Sequence, residues 1–161
     1  MTNDRLLKHV IYEMKMLYYT YGVQNNAPII SSSSPNEMES IRDALYTSFL
    51  LHFRNLYYFF NDRHYSDDIK ISTFVKDGKD IAGYEFTDKD LEVHINKCLA
   101  HLTKDRLKFE GAPEFDFRYM ALSIISRCVT FFDYILRHDI AKSHVSEIRE
   151  LRDTFSTFLS S

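Results

Sequence analysis

The stretch from Ser34 to Asn61 constrains this chain more than any other. Ser34-Pro35-Asn36-Glu37 reads as a helix start: the serine can cap, Pro35 suits the first helical position, and Glu37 completes a capping box. Met38, Ile41, Leu45, Phe49, Phe53, Leu56 and Phe60 then share one face, so the helix should run to about Asn61, roughly 40 Å at 1.5 Å per residue. Its first two turns are amphipathic, but beyond Leu45 nearly every direction is apolar. A helix that is apolar all round must be covered all round. The segment therefore predicts a central helix with others packed about it.

Within that apolar part stand three polar residues, His52, Arg54 and Asn55. An unpaired guanidinium in such surroundings costs several kcal/mol, so these groups must find partners or line a site. Ser48, His52, Asn55 and Phe59 form one row, whereas Arg54 points roughly 160° away from His52. The trio is therefore not one cluster. Two readings stay open for it: core polar groups satisfied by carboxylates or carbonyls, or a binding site.

The remainder of the chain fits around that helix. Its 161 residues suit one domain, spanning 1–161. With only 4 Gly and 3 Pro it has few turn-formers, which disfavours an all-β sandwich and favours long helices. Leu7, Val10, Met14, Leu17 and Tyr21 predict a first helix over residues 4–22, ended by Gly22. Residues 23–34, with the serines Ser31 to Ser34, read as a flexible Ser-rich loop. Residues 62–86 lack a sustained period and read as an irregular connection, with a turn at Asp77-Gly78. Within it, Ile69, Ile71, Phe74 and Val75 predict one short packed helix or strand.

Three further helices follow. One starts near Thr87-Asp88-Lys89-Asp90 with the stripe Leu91, Ile95, Cys98 and Leu102. The next carries Phe117, Ala121, Ile124, Cys128, Phe132 and Ile135, and the last, over 144–159, carries Ile148, Leu151, Phe155 and Leu159. The fold class is all-α: a bundle of about five helices, up-down, around a long central one.

Composition narrows the function. A formal charge of −3 provides no global basic field for nucleic acid, although it leaves room for a local site. Cys98 and Cys128 make no disulfide framework, which points to a reduced, cytoplasmic protein. The segment Met1 to His9 lacks the apolar core of a signal peptide, and no uninterrupted apolar run reaches the ~18 residues of a membrane span. Neither a Gly-rich phosphate loop nor a Gly-x-Ser-x-Gly elbow occurs, and no cofactor is signalled.

Three groups of residues carry potential chemistry. His94, Cys98 and His101 follow the spacing i, i+4, i+7 of a metal-ligand row, which needs a fourth group from another helix. Cys98 sits in the apolar stripe, where a buried thiol is ordinary, so no metal is expected. Instead His94, Asn96 or His101 should hydrogen-bond to the central helix. Asn96 and His101 thus join His52, Arg54 and Asn55 as candidate binding residues. Arg137-His138-Asp139-Ile140-Ala141-Lys142-Ser143-His144 lies where the last two helices meet. Helix ends there favour anions, and histidine with arginine can move a 2′-hydroxyl proton and stabilise phosphoryl charge. Arg137, His138 and His144 are the catalytic candidates. The competing reading is a solvated connection with incidental basic residues. Aromatic runs such as Tyr18-Tyr19-Thr20-Tyr21 can stack nucleobases, but at helical spacing they suit a core or subunit interface.

The segment Ser48 to Phe60 resembles the His-x-Arg-Asn-Leu helix of an uncharacterised group of small bacterial helical proteins. Asp67-Asp68-Ile69 and Ile95-Asn96-Lys97-Cys98-Leu99-Ala100-His101-Leu102-Thr103 are similar to that group's later segments. More distantly, the helical layout resembles the HEPN domain superfamily, which includes RNase toxins and nucleotide-binding partners of nucleotidyltransferases. That family's Arg-polar…His motif is matched by Arg137, His138 and His144, with six intervening residues. The resemblance implies a homodimer acting on RNA or a nucleotide, as a metal-independent RNase or a toxin- or defence-type protein. The alternative class is a non-catalytic interaction or regulatory module with a protein partner, in which the buried His and Arg groups are structural.

Overall fold

A computed structural model describes residues 3–25, 34–62, 68–75, 81, 93, 95, 96, 99 and 116–161. Ser34 caps its helix as the sequence predicts. Its Oγ accepts the Glu37 N–H at 3.4 Å, and the Glu37 carboxylate accepts the Ser34 N–H at 2.8 Å. Those bonds hold the Glu37 carboxyl below its ordinary range. Helix α2 then runs Pro35–Phe60, mostly exposed before Leu45 and mostly buried from Phe49 onward, with Leu51 left exposed. That matches its change from amphipathic to apolar all round.

Helix α1 runs Asn3–Asn25 and buries Leu7, Val10, Ile11, Met14 and Leu17. It continues through Gly22, where a stop was predicted, so Val23 to Asn25 belong to the helix and not to the loop. Gly22 is uncrowded, and a helical glycine costs only about 1 kcal/mol. Next to it, the Tyr21 ring lies 6.1 Å from that of Phe49 and 5.5 Å from that of Phe158. Tertiary packing of this kind outweighs a single weak propensity.

After α2, Asp62 takes a left-handed conformation (φ 51°) that aspartate tolerates better than most residues. Its carboxylate accepts the Ser72 N–H and hydroxyl at 3.1 and 2.9 Å. The partner segment is a short 3₁₀ turn, Ile71–Thr73, with Ile71, Phe74 and Val75 buried. Val93, Ile95, Asn96 and Leu99 are helical, inside the third predicted helix. The rest of that helix, with His94, Cys98 and His101, lies outside the described residues, as do residues 26–33 and the Asp77-Gly78 turn.

Helix α3 (Phe117–Arg137) is capped by Asp116, whose carboxylate accepts the Tyr119 N–H at 2.8 Å. By length and composition it is apolar enough to cross a membrane, and half of its apolar window is buried in the bundle. A core helix meets the same test, and α3 buries Ile124, Ile125, Cys128, Phe131, Phe132 and Ile135 against its neighbours. It ends with Asp139 left-handed (φ 52°) and the Ile140 N–H returning to the Ile135 carbonyl at 3.2 Å, a Schellman closure with aspartate where glycine is usual. Helix α4 (Val145–Leu159) follows.

The described residues form an all-α bundle in which α1 packs chiefly on α2 and α3 chiefly on α4. Aromatic rings join the two pairs. Phe131 meets Phe59 and Phe74 edge-on at 5.3 and 5.8 Å, and Tyr18 of α1 lies 5.3 Å from Phe155. Arg127 is also buried, its guanidinium 6.0 Å from the centre of the Phe60 ring. Burial pulls its pKa down and pushes that of the neighbouring Cys128 thiol far up, so the thiol stays protonated and unreactive.

Candidate functional site

Helices α1 and α2 run antiparallel, as the pairs Tyr21–Phe49 and Glu13–Asn55 require. His52 and Asn55 are three residues apart on α2 and share its α1-facing row. On α1, Glu13 sits at the edge of the apolar stripe made by Val10, Met14 and Leu17. The three meet at one atom. Glu13 Oε2 lies 2.8 Å from His52 Nδ1 and accepts from Asn55 Nδ2 at 3.1 Å. The His52 side chain is only 8 % exposed, and the edge of its ring meets Tyr12 at 6.1 Å. The second carboxylate oxygen, Oε1, accepts no hydrogen bond from the described residues.

That carboxylate lines a cleft of about 490 Å³. Leu6, His9, Val10 and Glu13 form its α1 wall, and Asn55, Leu56, Tyr58 and Phe59 its α2 wall. Asp68 and Ile69, from the stretch after α2, close one side. The Tyr58 hydroxyl accepts from Asn96 Nδ2 at 2.9 Å, which ties the helical residues near 96 to the cleft's edge. Among the described lining residues there is no lysine or arginine. The walls are mainly apolar, with a few convergent polar groups, as small-molecule sites generally are.

The structure thus brings together His52 and Asn55, and places Asn96 one residue away through Tyr58. It pairs His52 with Glu13 of α1, while Asn96 makes the expected bond to the central helix at Tyr58. Arg54 does not line the cleft, in keeping with its opposite direction on α2, and its buried Nε has no hydrogen-bond partner among the described residues. His101 lies outside the described residues. Sequence reasoning missed Glu13 and Tyr58. The one available signal was a carboxylate on the flank of an amphipathic stripe, in a chain whose central helix buries a histidine.

The catalytic candidates lie elsewhere. Arg137 and His138 are exposed, and the His138 ring lies 4.2 Å from that of Tyr134. His144 is the backbone N-cap of α4 and makes no side-chain capping bond. Its Nδ1 stands 3.5 Å from Glu147 and its Nε2 3.8 Å from Asp4. Ser143 donates its hydroxyl to Asp4, and Lys15 Nζ meets Glu147 at 2.6 Å. The Lys15 bond, with His144 adding, holds the Glu147 carboxyl below its ordinary range, and Glu147 in turn raises the pKa of Lys15. These contacts clamp α1 to the start of α4. No group of three His, Cys, Asp or Glu among the described residues is placed to hold a metal ion.

Compared with protein-family models, with curated proteins and with solved structures, the chain finds no match in any of the three.

Proposed function

We propose that this bundle is a non-catalytic ligand-binding or regulatory module, and that the cleft between α1 and α2 is where it binds. One observation carries the reading: the Glu13 carboxylate is held from behind by His52 and Asn55 and still keeps an oxygen without a donor among the described residues. An acceptor fixed before the ligand arrives costs little ordering on binding. Leu6, Val10, Leu56 and Phe59 add the apolar surface that supplies most of the affinity.

Titration with small aromatic fragments, followed by amide NMR shifts, tests it. Shifts should cluster on residues 6–13 and 55–59 and weaken sharply in His9→Trp, whose larger ring intrudes on the cleft, with helicity and melting unchanged. Fragments that bind His9→Trp as well as they bind wild type would place the site elsewhere.

The HEPN-like, RNA-linked reading would put acid–base chemistry at Arg137, His138 and His144. There Asp4 and Glu147 stand 3.8 and 3.5 Å from the His144 imidazole and repel a phosphodiester. That charge ranks the cleft reading first. RNA cleavage by the purified protein, abolished in His144→Ala with the fold intact, would reverse the order.

A further inference from the structure

We infer that the cleft takes an organic ammonium: a protonated amine carried on a compact apolar body. The inference rests on the cleft being a binding site, and adds the ligand's charge and hydrogen-bonding class. Glu13 and Asp68 line the cleft, and no lysine or arginine among the described lining residues balances them. An anion entering it would meet two carboxylates with no lysine or arginine among the described lining residues to offset them.

The hydrogen-bond inventory points the same way. Asn55 spends an Nδ2 hydrogen on Glu13, an amide orientation assigned from that bond. Its Oδ1, like Glu13 Oε1, accepts nothing from the described residues. Toward the described residues, then, the cleft presents two acceptors without a donor, one of them charged. An ammonium brings up to three donors and no acceptor. Charge-assisted bonds to a carboxylate are roughly twice as strong as neutral ones, so this complement exceeds what a hydroxyl group offers. The rings of Tyr58 and Phe59 tolerate a nearby cation at their faces, and Leu56 and Val10 accommodate the apolar body.

The test is calorimetric titration of the whole chain at about pH 8, where an ordinary imidazole is neutral and a primary amine is charged. The probes are 2-phenylethylamine, 2-phenylethanol and 3-phenylpropionate, which differ chiefly in their polar head. The amine should bind about tenfold tighter than the alcohol, and the carboxylate weaker than both. In Glu13→Gln the amine should lose much more affinity than the alcohol, so that its advantage collapses. Should that variant not fold, added salt must weaken the amine in wild type and spare the alcohol. Amine and alcohol bound equally at the cleft would overturn the ammonium inference and leave the cleft reading standing. If none of the three probes binds, both fall together.

Discussion

Two histidines of this protein meet carboxylates, and their surroundings make the pairs different. At the α1–α2 contact, His52 is 8 % exposed and lies 2.8 Å from a glutamate that Asn55 also engages. Where α3 meets α4, His144 is 18 % exposed, and its two carboxylates stand at 3.5 and 3.8 Å, 38 and 47 % exposed. Water screens the second arrangement, whereas in the first it reaches the Glu13 carboxylate, 26 % exposed, from the cleft and little of His52. Removing one member of the buried set strands polar atoms away from solvent, whereas the junction can rehydrate. The same residue types thus build an oriented site in one place and a loose clamp in the other.

The comparison is tested hardest from behind the cleft. Phe59 forms part of its wall and packs edge-on against Phe131 at 5.3 Å. Phe131→Ala should cost about 3–5 kcal/mol in denaturant unfolding. Amide shifts should appear around Glu13 and not around His144. Shifts spread evenly over both regions would mean that the cleft has no special attachment to the core.

Next in size is the direct contrast. Glu13→Ala strands His52 Nδ1 and the Asn55 amide and should cost about 1–3 kcal/mol. His144→Ala should cost under about 1 kcal/mol. Equal losses would erase the distinction drawn between the two pairs.

The smallest effect depends on pH. Glu147 has its folded pKa below the ordinary value of 4.5, so its contribution is present above 4.5 and fades as pH falls through the lower folded value. Lys15 has its pKa raised above 10.5, so its share is present below 10.5 and fades as pH rises past the raised value. Lys15→Met should therefore destabilise at pH near 7 by under about 1 kcal/mol, given the exposure of both groups, and converge with wild type in acid. A difference that persists unchanged in acid would mean that Lys15 acts through packing and not through charge.

Much of the fold was legible because its signals are local. The capping box at Ser34 and Glu37 needs four consecutive residues, and the stripes of α3 and α4 need only one helix each. Local signals also misled at Gly22, where the weak preference of one glycine lost to the packing of Tyr21 on Phe49 and Phe158. The site was half legible. His52 and Asn55 stood out as polar residues in an apolar helix, and Arg54 could be set apart from them by helical rotation alone. Glu13 could not be picked out, because it lies 39 residues from His52 and resembles many other surface glutamates until α1 is laid against α2.

The sequence was enough to say that α2 buries a histidine and an asparagine in one direction and sends an arginine in the other, since 100° of rotation per residue is a property of the helix itself. Which helix covers each direction was settled by assembly. Burial of apolar faces is nondirectional and rewards any neighbour that excludes water, so it does not name a polar partner in advance. Only when α1 takes its place against α2 does Glu13 meet His52, and only then is there a cleft with a carboxylate oxygen that no described residue answers.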